Sequence, residues 1–375
     1  MADYILDKIN SCIECELCND VCPTFKVTGK EIFAPMERLN TAAIVFQEKE
    51  ITDEQIESIY NCPKCMLCEQ VCPENISIVE IIHKTREELV NQGKGPLEQH
   101  IKVISGIFKN GNSVGGDPLA RMDWLEEEDL KQKYLDSDSD TLLYMGCIPS
   151  YLVKDSAYST IQVLDKLGCD FRIIEDEGCC GTYLYECGKT NTAKDYFQNN
   201  LEKFKAMGIK KLIVPCNGCL KCFKYFYPAL LGKTGIEVEH AVETVFNLLE
   251  HQTDLLKKVN QNITFQDPCR LARTENKIKE PRKILEDCGA SVSEMEKYGK
   301  DAVCCGAGAG IRSVYPELSL KLAEKLLKSS NTKDIATACP FCTFNLAYTS
   351  KKKQLDKNLI YFARIILNSL EKSHG

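Results

Sequence analysis

The sequence predicts a mixed chain, α+β with α/β lobes: a mainly helical module carrying two four-cysteine runs, followed by two duplicated α/β domains. Three observations predict it. Cysteines fall in blocks, eight between residues 12 and 72, none from 73 to 146, and fourteen from 147 to 342. The first block holds two similar runs, "CIECELCNDVCP" and "CPKCMLCEQVCP". In the second block a longer pattern of short apolar runs, helical stretches and adjacent cysteines occurs twice. The expected boundaries are a module at 1–100, a linker at 101–140, a first lobe at 141–250 and a second at 251–375.

At 375 residues the chain has room for two to three domains. Apolar residues at 44% and charged residues at 27% are ordinary globular usage, which excludes a disordered or fibrous chain. The net charge of −7 and the lack of a basic stripe argue against nucleic acid as a partner. "MADYILDKINSC" has no basic region followed by an apolar one, and no apolar run approaches a membrane span. A cytoplasmic location is therefore expected. There, 22 cysteines cannot form a secreted disulfide framework, and such density points to metal.

Taken in order, the 39 residues 23–61 between the two runs read as helical ("PMERLNTAAIVFQ"). "ISIVEIIHKTREELV" is also helical text, "KNGNSVGGDP" a loop, and the acidic stretch around Trp124 a solvated face with a short helix. In the first lobe "TLLYMGC" is a strand ending on Cys147, "FRIIE" a second strand leading to Cys179 and Cys180, and "TAKDYFQNNLEKFKAMG" an amphipathic helix. "KKLIVPC" then leads to Cys216 and Cys219. The second lobe repeats this with "NITFQDPC" and Cys269, a helix from about Pro281, Cys304 and Cys305, the helix "PELSLKLAEKLLKSS", and "DIATACPFC" with Cys339 and Cys342. Offsets of 122, 125 and 123 between matching cysteines indicate a duplication. Strands alternating with helices favour parallel sheets, whose C-terminal strand ends carry ligands.

Both runs of the module fit C-x-x-C-x-x-C-x-x-x-C-P. Three cysteines on one tight loop ligate three irons of a cubane, while the fourth, before proline, completes the other cluster. Cys12, Cys15, Cys18 and Cys72 are thus expected to hold one cubane [4Fe-4S] cluster, and Cys62, Cys65, Cys68 and Cys22 a second. Zinc is the alternative, though its sites use separated cysteine pairs. The long insert suggests the helical ferredoxin type found in subunits of larger redox enzymes.

Each copy of the lobe pattern carries five thiols, one more than a tetrahedral zinc or a simple cubane uses. A single C-x-x-C could be a redox pair or half a zinc site. Two complete sets in register make those poor explanations. The lobes, together with "GCIPSY", "VPCNGC", "EPRKIL" and "CCGAGAGIRSVYPELS", resemble the CCG domain. The whole layout resembles heterodisulfide reductase of methanogenic archaea, either as one of its iron–sulfur subunits or as a fusion of two smaller ones.

That resemblance implies two noncubane [4Fe-4S] clusters. Cys147, Cys179, Cys180, Cys216 and Cys219 would hold the first, and Cys269, Cys304, Cys305, Cys339 and Cys342 the second. It also implies reductive cleavage of the mixed disulfide of coenzyme M and coenzyme B, with one sulfur captured by iron on each side. Electrons would come from a flavin-containing subunit or a haem b membrane subunit, in a hetero-oligomer held at the membrane through that partner. The alternative is a non-catalytic electron-transfer subunit of the kind that serves glycolate, lactate or glycerol 3-phosphate oxidation.

One departure from the family concerns Gln266 and Arg270, which stand where members commonly have histidines flanking Asp-Pro-Cys. Arg270 and Arg273 are candidate contacts for an anionic sulfonate or phosphate, or else surface arginines. Cys169, Cys187, Cys222 and Cys288 lie outside the motifs and read as packing residues. Cys222 could add a sixth thiol to the first lobe's set. His240 reads as structural. Gly181 and "GAGAG" (306–310) are expected to make room for a cluster, and the latter is no dinucleotide fingerprint.

Overall fold

The computed structural model describes residues 2–371. Pro35 opens the helix Pro35–Phe46, where its missing N–H costs nothing and its fixed φ suits a first turn. Thr52 and Gln55 form a capping box at the start of Asp53–Tyr60. Leu39, Ala42 and Val45 then pack with Ile81, Ile82 and Leu89 of Ile78–Asn91 as the module's core.

Each lobe is built on a parallel sheet. In the first, β1 (Thr141–Leu143), β2 (Lys211–Val214) and β3 (Glu237–His240) lie in that order. In the second, β4 (Asn262–Gln266), β5 (Ser291–Glu294), β6 (Asp334–Thr337) and β7 (Asn358–Tyr361) are ordered β5-β4-β6-β7. Every pairing is parallel. The chain therefore leaves β1, β2, β4 and β6 at matching edges, and Cys147, Cys216, Cys269 and Cys339 follow two to four residues later.

The strand expected at "FRIIE" is reduced to one bridge between Leu142 and Arg172. Its next N–H, that of Ile173, donates to the Tyr134 carbonyl at 3.0 Å, so the chain turns away from β1. With the bridge counted, the two sheets share one strand order. The segment 101–140, expected to be a linker, is exposed or half-buried over most of its length but sends several side chains into the lobe cores. Ile107 of Glu98–Asn110 enters the first lobe's core. Trp124, Leu125 and Tyr134 are buried, and the Tyr134 ring stacks on Phe171 with centroids 3.9 Å apart. Glu126, Glu127, Glu128 and Asp129 face solvent, as the acidic run suggests.

One apolar cluster runs through both lobes, joining Leu143, Ile161 and Val245 to Ile263, Phe265 and Ile284. The C-terminal helix Phe362–Glu371 packs on Lys154–Lys166 of the first lobe. This crossing fixes the relative orientation of the lobes. Close approach also ties them to the module: Gly188 has φ +91°, and a Cβ there would lie 2.4 Å from the Arg86 carbonyl oxygen. A helix backbone cannot swing aside as a side chain can. Gly188→Ala is thus expected to cost about 1–3 kcal/mol, read as a lower urea midpoint of the intact protein. No described helix is long and apolar enough to cross a membrane.

Candidate metal centres and the cavity between the lobes

The module's eight motif thiols line two small cavities of about 20 Å³ each. Cys12, Cys15, Cys18 and Cys72 border one, and Cys22, Cys62, Cys65 and Cys68 the other. Each run lends its fourth cysteine to its neighbour's cavity. The first, outer cavity reaches the surface at the exposed Cys15; the second, inner one has Cys22, Cys62 and Cys65 buried.

The backbone of both runs suits a polynuclear group. Glu14 and Glu16 in the outer loop have φ of 54° and 61°, and Lys64 and Met66 at the same positions of the inner loop have 51° and 66°. Non-glycine residues enter this region only under structural compulsion. Left-handed residues in such loops turn N–H groups into a concavity, the nest that recurs at Fe–S sites. The N–H of Lys64 donates to Cys62 Sγ at 3.4 Å, and that of Ile76 to Cys72 Sγ at 3.5 Å. The Cys18 thiol is pushed up to about 11, by burial first and then by Cys12, Cys15 and Cys72. Thiols that oppose one another's ionisation around one cavity fit a cationic iron–sulfur core, which removes the conflict. Among the described residues, no three His, Cys, Asp or Glu side chains gather as a single-ion site.

Guanidinia surround the inner cavity. Arg38, 1% exposed, donates to Cys22 Sγ at 3.6 Å and to Ser58, Thr24 and Asn61. Arg86 donates to the Cys62 carbonyl at 2.8 Å, and Arg273 to the Cys65 carbonyl at 2.8 Å. Lys64, buried within the cysteine loop, pairs with Glu186 of the first lobe at 2.5 Å, and Lys221 closes on the other carboxylate oxygen. Burial works against the Glu186 charge, but Lys221, Lys64 and Arg270 outweigh it and hold the carboxyl well below its usual range.

In the lobes, all ten thiols of the two five-cysteine sets line a single cavity of about 390 Å³. The duplication holds in detail. Gly181 and Gly306 both have φ +79°, and each donates its N–H at 3.4 Å to the first cysteine of its pair, Cys179 or Cys304. The Cys305 and Cys342 sulfurs are 3.1 Å apart. Asn217, next to Cys216, donates its side-chain N–H to the carbonyl of Ala338, next to Cys339, at 3.1 Å, so the two sets meet across the lobe boundary. Cys65 of the inner site packs in one buried cluster with Cys304 of the second lobe; Cys304 first, and then Arg273 and Arg270 against the cost of burial, lower its thiol to about 6.

Comparison with known proteins matches residues 8–76 to a 4Fe-4S dicluster domain, and residues 141–224 and 263–347 to a cysteine-rich domain. The chain is 30% identical to a subunit of the dihydromethanophenazine:CoB–CoM heterodisulfide reductase of Methanosarcina mazei, over 91% of this chain and 89% of that one. The chain belongs to the heterodisulfide reductase family. It is also 28% identical to a subunit of the CoM/CoB fumarate reductase of Methanothermobacter marburgensis, over 93% of this chain and 69% of the relative. A probable glycolate oxidase iron–sulfur subunit of Bacillus subtilis matches at 27%, over 60% and 54%. These relatives make this member of the heterodisulfide reductase family an iron–sulfur oxidoreductase.

Within this heterodisulfide reductase framework the remaining candidates fall into place. Arg270 borders the large cavity, but its guanidinium donates to Met66 Sδ and to the Lys64 carbonyl. Arg273 is buried with its donors on the carbonyls of Lys300, Cys65 and Ala302, and so anchors the inner loop. His240 accepts the Val242 N–H and caps Ala241–Leu249, and burial lowers it to about 4. The Cys222 thiol donates to the Cys180 carbonyl at 3.1 Å, behind the paired cysteines. Cys187 and Cys288 are buried, and Cys169 is half-buried.

Gly181 serves a different neighbour from the one expected. A Cβ there would lie 2.8 Å from the Phe197 ring, so the close approach is to the helix Thr190–Ala206. Ala307, Gly308, Ala309 and Gly310 do border the cavity. The buried arginines and the Lys64–Glu186–Lys221 cluster escaped sequence reasoning. The one local signal was Lys64 standing where the outer loop has Glu14.

Proposed function

We propose that this protein reductively cleaves a small-molecule disulfide in the cavity between its lobes. The observation that carries the reading is the single cavity bordered by both five-cysteine sets. Disulfide cleavage takes two electrons and separates two sulfurs, and the cavity offers each sulfur its own set of thiol ligands. Cys147, Cys179, Cys180, Cys216 and Cys219 would hold one noncubane cluster, and Cys269, Cys304, Cys305, Cys339 and Cys342 the other. Bound there, the clusters would supply the electrons and an iron for each departing sulfur. Cys12, Cys15, Cys18 and Cys72 would hold the outer cubane, and Cys22, Cys62, Cys65 and Cys68 the inner one. Ile148, Leu152, Phe341 and Phe344 give the cavity an apolar lining that limits water at the reacting sulfurs.

The substrate in this reading is a mixed disulfide of two thiol coenzymes, as the name of the Methanosarcina relative suggests. Arg270 at the cavity border would still offer an anionic group its remaining donors. The electron donor is a partner subunit, with flavin or haem b, in a hetero-oligomer that could bring the chain to a membrane. The glycolate oxidase relative favours a second reading, an electron-transfer subunit without its own substrate chemistry.

Protein purified without oxygen is expected to hold about sixteen irons, for four four-iron clusters. It should give a new EPR signal when oxidised with a coenzyme thiol present, and should reduce the disulfide with a dye as donor. Zinc in place of iron would sink the cluster assignment. A full iron complement with neither thiol signal nor disulfide reduction would select the second reading.

A further inference from the structure

The two cubane sites share one loop geometry and differ in what surrounds them. At the outer loop the left-handed positions are Glu14 and Glu16, both exposed, and Glu16 and Glu74 border the cavity itself. At the inner loop the same two positions are Lys64 and Met66. Arg38 bonds a ligand sulfur there, while Arg86, Arg270 and Arg273 bond the carbonyls of Cys62, Lys64 and Cys65. Two carboxylates offset only part of this charge: Glu186 is shared between Lys64 and Lys221, and Glu69, beside Cys68, accepts the Val79 N–H.

From this asymmetry we propose that the chain itself sets a potential step between its two cubanes, with the inner one easier to reduce. The inference rests on the cubane reading above and is independent of the substrate. Reduction adds one negative charge, so nearby cations favour it and nearby carboxylates oppose it. Burial of the inner site works the other way, because the added charge loses solvent. The cations prevail because they are themselves buried: Arg86 is 0% and Arg38 1% exposed, and fixed charges in the interior are screened far less than exposed ones. Glu14 and Glu16 are solvated, so they pull the outer potential down by a smaller amount.

The consequence is direction. An electron accepted at the surface, beside the exposed Cys15, passes to the inner site; the outer group is oxidised, the inner reduced, and no bond or proton moves. Cys65 then lies in one buried cluster with Cys304, one of the second lobe's five motif thiols. The route enters the cavity through the second lobe.

The test is an EPR-monitored redox titration of the intact holoprotein. The two signals are assigned beforehand with Cys22→Ala and Cys72→Ala, each of which removes a ligand from one site. The inner signal is expected at the higher potential. The double substitution Glu14→Lys and Glu16→Lys, on exposed side chains, should raise the outer potential, narrow the gap and leave the inner potential and the iron content unchanged. An inner signal at or below the outer potential overturns the proposal. So does an outer potential that ignores the charge reversal. Failure of disulfide reduction with the potential order intact would instead sink only the substrate reading, and absence of cubane signals would sink the cluster reading together with this one.

Discussion

Replacing Arg86 by alanine is expected to lower stability by about 3–5 kcal/mol. Arg86 is fully buried and makes six hydrogen bonds to five carbonyls, those of Ile59, Tyr60, Cys62, Glu186 and Ala309. Ile59 and Tyr60 end the helix Asp53–Tyr60, where the last carbonyls have no intrahelical partner and the dipole favours a cation. Glu186 and Ala309 belong to the first and second lobes, so one guanidinium joins all three parts of the chain. Truncation leaves five buried acceptors unpaired. Arg86→Lys should recover less than half of the loss, because an ammonium has three donors and no planar fork. Urea denaturation of the anaerobic protein reads both variants, and a wild-type midpoint for Arg86→Ala would refute this role.

Cys22→Ala is expected to remove the inner cluster, and Cys72→Ala the outer one. Each substitution empties the site to which its own run contributes only the fourth thiol. The expected loss is about four irons in each case, measured by iron analysis and by which EPR signal disappears. Cys22 carries the stronger consequence, because in the proposed route electrons pass the inner site on the way to Cys304. Dye-driven turnover should therefore stop in Cys22→Ala even with the outer cluster intact. Loss of the outer signal from Cys22→Ala would reverse the assignment of ligands.

Much of the architecture is legible in the sequence. The duplication offset, the paired cysteines and the alternation of strands with helices anticipate two parallel-sheet lobes of matching strand order. The grouping of thiols around cavities likewise follows the C-x-x-C-x-x-C-x-x-x-C-P spacing, because ligand spacing is local chemistry. Legibility fails where a remote partner decides. "FRIIE" has the text of a strand, yet the Tyr134 carbonyl takes its Ile173 N–H. Residues 101–140 look polar enough for a linker, yet Trp124 and Tyr134 are core residues. Arg273 reads as an anion contact or a surface arginine, yet its donors lie on three carbonyls, one of them in the module.

The sequence by itself determined the chemistry of this protein: how many thiols, in what sets, on which kind of strand or loop end. Only the tertiary structure decided how the sets face one another and what charge surrounds each. The cysteine runs of the module are written with two or three residues between thiols. The cations around the inner site come from residues 38, 64, 86, 270 and 273, and Arg86 alone bonds a carbonyl 223 residues further along the chain. A short motif carries its own geometry, whereas an electrostatic environment exists only once distant segments have packed.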